Sequence, residues 1–255
     1  MSDILEITER ASVIRADNPG IMTLEGTNTW ILREPGAARS VVVDPGPNDD
    51  AHLRRVLDVA GDVGLVLFTH HHFDHTDSIR AITDRTGAPA RATDPEFCVG
   101  ADPLVDGELD DVDGLRLMVI STPGHTSDST CFRLLDEPSL LSGDTVLGRG
   151  TTVVAHPDGV LGPYLDSLAL LRELVEEGLI ERILPGHGPV IDQAGPVLDF
   201  YLEHRQERLD QVREALDAGA STPREVVEHV YTDVDQSLWP AAELSVKAQL
   251  DYLRA

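Results

Sequence analysis

Four histidines and an aspartate fall within six consecutive positions, 70–75, of the stretch THHHFDHTDS. Side chains crowded this closely either repel one another across a wasted surface or hold something together. Three more residues of the same chemistry occur far along the chain: His125 in TPGHT, Asp144 in SGDT and His187 in PGHGP. Each group follows a short apolar run: LVLFT before His70, LMVIST before His125, SLL before Asp144 and RIL before His187. Four strand ends would therefore deliver His70, His72, Asp74, His75, His125, Asp144 and His187 to one place, and rigidly held strand ends are where sites tend to be built. Neutral imidazole and carboxylate are the ligands zinc takes when thiolates are absent, and a site with open positions is catalytic. Seven ligands are too many for one zinc. They suit two Zn2+ per chain, with one carboxylate bridging and water completing each shell.

Two zinc ions roughly 3.5–4 Å apart would share a hydroxide whose pKa is lowered toward neutrality, and that hydroxide would attack a carbonyl carbon or a phosphorus. Asp74 has a second, catalytic task in this reading: it accepts a hydrogen bond from the nucleophile and orients it. His70 and His72, two apart, point the same way in an extended segment, which turns His71 away. His52, His204 and His229 lie in helical patterns and receive no role. His156, in VVAHPDG, is either a loop residue or a wall of the substrate pocket.

The elements that must position these residues are legible in the periodicity. TNTWIL at 27–32 and RSVVVDPG at 39–46 read as antiparallel strands, and Leu53, Val56, Leu57 and Ala60 give a helix over 50–60. A buried strand at 65–70 then runs into the histidine cluster, with a helix from about Asp77 to Thr86 stopped by Gly87 and Pro89. The second half repeats this order: strands at 115–122, 130–135 and 139–145, a helix at 163–178, and a short strand and turn at 181–190. Two roughly equivalent halves of this kind imply two sheets packed face to face with helices outside. From Gly195-Pro196 onward the pattern is helical only. Thr222-Pro223-Arg224-Glu225 has the form of a capping box, and a last apolar-periodic run covers 240–254. The apolar face of this tail must be buried. It packs on the main body, walls the substrate cleft, or forms a homodimer contact.

The chain has 255 residues with a formal net charge of −25; nineteen of its 20 basic residues are arginine. That field opposes long polyanions, since nucleic-acid affinity is mainly phosphate neutralisation, so no double-stranded nucleic acid is expected as a partner. It leaves room for a local basic patch. Two cysteines without a C-x-x-C motif indicate reduced thiols rather than a disulfide framework. MSDILEITERASVI lacks the apolar run of a signal peptide, and no stretch is apolar enough for a membrane span. A cytoplasmic location without membrane association is the expectation.

H-x-H-x-D-H at 70–75, G-H-T at 124–126, G-D at 143–144 and G-H-G at 186–188, in this order over about residues 10–190, resemble the metallo-β-lactamase superfamily. NPGIMTLEGTNTWIL at 18–32 and LWPAAELSVKAQLDYL at 238–253 resemble, more narrowly, the β-lactamase-like protein 2 family, which carries a small winged-helix-like C-terminal domain. The resemblance implies an α/β (α+β) fold: an αββα sandwich over 1–195 with the metals at one edge between the sheets, and a small helical, winged-helix-like domain over 196–255. It implies that His70, His72 and His125 hold the first zinc, that Asp74, His75 and His187 hold the second, and that Asp144 bridges them. Asp44 in VDPG matches a position that orients a ligand histidine. The activity implied is a phosphodiesterase or endoribonuclease acting on short single-stranded RNA; a small-molecule thioester, cleaved as in glyoxalase II, is the alternative. A persulfide dioxygenase would keep the histidines but load a single iron, and a non-catalytic binding module would have lost ligands that are all present here. The departure from relatives that cut RNA is the scarcity of basic residues along a substrate track.

Overall fold

In the computed structural model, which describes residues 5–232 and 234–255, the apolar runs form two sheets. The first has the order β1 (Leu5–Glu6), β2 (Ala11–Arg15), β3 (Asn28–Leu32), β4 (Arg39–Val43), β5 (Asp62–Leu67), β6 (Ala90–Arg91). Its pairs are antiparallel up to β4 and parallel beyond. Parallel neighbours need a crossover. Helix α1 (Asp50–Ala60) supplies it between β4 and β5, and α2 (Phe73–Thr76) with α3 (Ile79–Thr86) between β5 and β6. In the second sheet β7 (Leu109–Val112), β8 (Leu115–Ser121), β9 (Thr130–Leu134) and β10 (Ser139–Gly143) form an antiparallel meander. After α4 (Leu161–Glu176) the chain returns to add β11 (Arg182–Pro185) parallel to β10.

Alternation along the strands assigns the layers. Leu65 and Leu67 face the second sheet and join Val41, Val43, Leu117, Phe132 and Leu141 in the core between the sheets. Val66 and Phe68 face outward onto Leu53, Val56 and Ile82 of α1 and α3. Ile120, Leu140 and Ile183 do the same beneath Leu161, Leu168 and Leu171 of α4. The result is the αββα sandwich. β3 and β10 are buried at every residue, their polar Asn28, Thr29, Ser139 and Ser142 included.

The ligand-bearing segments differ locally from the reading above. The strand expected at 65–70 ends at Leu67, so Thr69–His72 form a turn and not an extended continuation. The helix expected from about Asp77 to Thr86 is α3, which starts at Ile79, and a short further helix, Phe73–Thr76, precedes it. Four strands lie outside the expected set. β1 and β6 have two residues each, β7 carries two aspartates in its LDDV, and β2 pairs with β3 over its whole length.

The C-terminal region comprises α5 (Ala194–Asp217), α6 (Pro223–Val230) and α7 (Trp239–Arg254), and no strand among the described residues. Gly195 and Pro196 occupy the first turn of α5. The capping box of Thr222 and Glu225 is formed, each side chain accepting from the other's backbone N–H. Leu198, Tyr201 and Leu209 of α5 pack into the α4 layer, while Val212 and Ala215 join Val226, Val227, Val246 and Leu250 in a small separate core. The apolar face of the tail is thus buried within the chain. No helix among the described residues is long and apolar enough to cross a membrane.

Candidate metal centre

The carboxyl ends of β4, β5, β8, β10 and β11 open on one edge of the sandwich, and the donors gather there. His72 Nδ1 lies 3.1 Å from His70 Nε2 and 3.2 Å from His125 Nε2. His187 Nε2 lies 3.3 Å from His75 Nε2 and 3.1 Å from Asp74 Oδ2, which is itself 3.3 Å from His75 Nε2. Asp144 stands between the two groups. Its Oδ2 is 3.3 Å from His187 Nε2 and 3.8 Å from His125 Nε2, and its Oδ1 is 3.6 Å from His75 Nε2. All seven donors expected from the sequence are brought together, in two sets of three that share Asp144 as neighbour.

The opposite ring nitrogens explain which lone pairs point inward. His125 Nδ1 donates to the Val153 carbonyl at 2.9 Å and His187 Nδ1 to the Gly26 carbonyl at 3.2 Å, so each Nε2 faces the cluster. His75 Nδ1 donates to Asp44 Oδ2 at 2.9 Å. His70 Nδ1 donates to Thr69 Oγ1 at 3.0 Å, and that hydroxyl donates to Asp44 Oδ2 at 2.7 Å. The Thr69 N–H donates to Asp44 Oδ1 at 2.8 Å. Asp44 thereby orients histidines of both groups from one buried carboxylate, from a backbone held at φ 49°. Partners of this kind fix tautomer and ring orientation.

Residues the sequence reading left out complete the frame. Thr27 Oγ1 donates to Asp74 Oδ2 at 3.0 Å and receives the Asn18 side-chain amide at 3.0 Å, so the loop before β3 holds a ligand that is only partly buried. The signal lay within the conspicuous NPGIMTLEGTNTWIL segment. His71 is not idle: its Nδ1 is 2.7 Å from Asp128 Oδ1, which ties the histidine turn to the loop carrying His125. His52 is buried against Thr29 Oγ1 at 2.8 Å. His156 faces Asp251 of α7 at 3.4 Å, away from the ligand cluster.

The two groups differ in charge. Burial, reinforced by His75, holds His70 well below the usual imidazole range; burial and His125 hold His72 down to about 4, and burial lowers His125. These three are neutral donors at pH 7. Burial also disfavours charge on His75 and His187, but carboxylates win. Asp74, Asp44 and Asp144 raise His75 well above its ordinary value, and Asp144 with Asp74 raises His187 to about 9. Conversely, burial pushes Asp74 and Asp144 up, yet their histidine neighbours pull both below the ordinary carboxylate range. Protons sit where a cation would, and a cation entering this group must displace them.

The donor set fits a metal. Asp144 Oδ1 is buried without a hydrogen-bond partner, a costly state for a carboxylate oxygen. Three imidazole nitrogens converge at 3.1–3.2 Å, and one proton on His72 Nδ1 can serve only one of its two neighbours at a time. A borderline divalent cation bound by nitrogen and oxygen satisfies both.

Gly186 shows how little room surrounds the donors. A Cβ there would meet Asp144 Oδ1 at 2.5 Å and His75 Cε1 at 2.9 Å. Gly186→Ala is expected to displace Asp144 and lower turnover by about a hundredfold, because misplacement of catalytic groups by about 1 Å has that effect. Metal content and rate measured together check this; unchanged values for both would show that the turn yields freely.

Residues 22–187 match the metallo-beta-lactamase superfamily, and residues 222–255 match the beta-lactamase associated winged helix domain. A beta-lactamase-like protein 2 homolog of Caenorhabditis elegans is 34% identical over 98% of this chain and 86% of its own length. A protein of the same description from Drosophila melanogaster is 32% identical over 95% of this chain and 88% of its own length. Among solved structures, a metallo-beta-lactamase family protein from Thermus thermophilus superimposes with a TM-score of 0.81 at 24% identity, covering 98% of this chain and 94% of that one.

Proposed function

This chain belongs to the metallo-beta-lactamase superfamily of metal-dependent hydrolases, and from that premise we propose a binuclear zinc enzyme that cleaves phosphodiester bonds in short single-stranded RNA. The observation that carries the metal-dependent part is the convergence of seven donors into two groups with Asp144 between them. Two divalent ions held there supply a nucleophile at neutral pH and polarise the oxygen under attack.

The chain's own residues do the rest. His70, His72 and His125 would hold one ion and Asp74, His75 and His187 the other, with Asp144 standing between the two groups. Asp44 keeps Nε2 of His70 and of His75 aimed inward. The Asp74 side chain is 25% exposed, against 10% or less for His75, Asp144 and His187. Its Oδ2 is engaged by Thr27, His75 and His187, so Oδ1 accepts a proton of the attacking water and fixes its direction.

RNA as substrate is supported by likeness to the β-lactamase-like protein 2 group along nearly the whole chain, C-terminal helices included. The charge of −25 confines recognition to a few phosphates near the metals. A labelled RNA oligonucleotide and S-lactoylglutathione, offered to one zinc-loaded preparation with Asp144→Ala as control, decide the substrate. RNA cleavage is expected, lost in Asp144→Ala, with a log–log salt slope on the order of −1 to −2 at about −0.7 per phosphate. Thioester turnover lost in Asp144→Ala, beside RNA cleavage that persists in it, assigns the thioester instead.

A further inference from the structure

A cavity of about 480 Å³ lies where residues 150–153, the tip of the loop before β3 and the C-terminal helices meet. Its wall includes Arg205 and Arg208 of α5, and among the described residues that line it none is acidic. In a chain of charge −25 this is unusual. Elsewhere even a well-buried arginine has its acids, as Arg91 has Glu108 and Asp110. Arg205 is 5% exposed, its Nε is buried without a hydrogen-bond partner, and its guanidinium lies 5.0 Å from the centre of the Tyr164 ring. It donates to the Thr152 carbonyl. Arg208 is half-buried over Tyr231 and, among the described residues, bonds to Gln211 and the Val230 carbonyl. Burying a guanidinium without an anion is costly, and a ligand's anion would offset that cost.

The cavity adjoins the metal donors on two sides. Thr152 Oγ1 donates to the Asp144 carbonyl, and the carbonyl of Val153 receives His125 Nδ1. On the other side, the loop that presents Ile21 and Met22 to the cavity also carries Asn18 and Thr27, which hold Asp74. Ile21 and Met22 are 65% and 54% exposed and give the cavity an apolar lip. Cations at the base and apolar side chains at the lip suit a phosphate that carries a planar base.

We propose that this cavity is the subsite for the phosphate next to the scissile one, with Arg205 and Arg208 as its cations; this rests on the RNA reading above. It assigns substrate recognition to the joint between the sandwich and the helical tail. Arg205 also braces the 150–153 segment, so Arg208 is the residue to change.

The test compares a dinucleotide, which has only the scissile phosphodiester, with a trinucleotide on wild type, Arg208→Gln and Arg208→Lys. In wild type the second phosphodiester is expected to lower KM about tenfold, the effect of one charge-assisted contact. In Arg208→Gln that advantage disappears, so that dinucleotide and trinucleotide have equal KM, and Arg208→Lys keeps part of it. Trinucleotide binding is measured separately on Asp144→Ala with and without Arg208→Gln, and is expected to weaken about tenfold with the second change. Equal KM gains and equal binding with and without Arg208 overturn the subsite even if RNA is cleaved. If no RNA is cleaved but binding still depends on Arg208, the subsite stands and the RNA reading falls.

Discussion

Asp144→Ala is expected to lower turnover by about a thousandfold or more, several kcal/mol of transition-state stabilisation, while the chain stays folded. Asp144 follows β10, whose hold on the core comes from Leu140 and Leu141. Its carboxylate packs against Gly186 and lies within 3.8 Å of histidines of both groups. Removing it deprives both metals of a common anchor. Loss of a buried charge ordinarily leaves its partner stranded, but His75 and His187 can release a proton where an arginine could not. Thermal unfolding of the metal-free protein is therefore expected to shift by only a few degrees. Metal content, rate and unfolding temperature measured on one preparation test all three parts. Near-normal turnover in Asp144→Ala, with turnover lost in Asp74→Ala, would transfer the bridging position to Asp74.

Asp44→Asn is expected to weaken metal affinity by about ten- to a hundredfold, the usual consequence of removing a partner that orients a ligand. Asp44 is 1% exposed and accepts from the Thr69 N–H, the Thr69 hydroxyl and His75 Nδ1. An amide has one acceptor oxygen, so at least one buried donor loses its partner, at about 1–3 kcal/mol each. Asparagine tolerates the left-handed backbone found here at φ 49°, which separates hydrogen bonding from strain. Asp44→Ala adds a strain penalty of about 1 kcal/mol and should be less stable again. Equal zinc affinity in wild type and Asp44→Asn, by competition with a chelator, would show that packing alone orients His70 and His75.

The ligand set could be read from the sequence because each group of donors follows an apolar strand, and strand ends on one edge of a sandwich converge whatever the connections between them. Asp44, the residue after β4, was reached through the resemblance of VDPG to a family position. Thr27 and Thr69 were not. A threonine before a strand or beside a histidine has no periodicity, and its hydroxyl gains meaning only when a carboxylate from a distant segment meets it. His71 is turned away from the ligands as expected, but not by strand alternation: the chain leaves β5 at Leu67 and turns, and His71 swings onto Asp128. The same turn lets His72 offer Nδ1 where His70 and His125 offer Nε2. β7 escaped because its Asp110 and Asp111 dilute the pattern, although Asp110 is bonded to Arg91. Arg205 shares the helical spacing of Leu198, Tyr201 and Leu209, and only the packed structure shows it buried with no acid beside it among the described residues.

Metal stoichiometry tests the binuclear centre most directly. The protein is purified metal-free, titrated with zinc, freed of excess and analysed for bound metal per chain alongside activity. Saturation at two zinc ions per chain is expected, with activity rising as the second site fills and both ions weakened in Asp144→Ala. Saturation at one ion, or activity supported by iron alone, would contradict a binuclear zinc centre built from His70, His72, Asp74, His75, His125, Asp144 and His187.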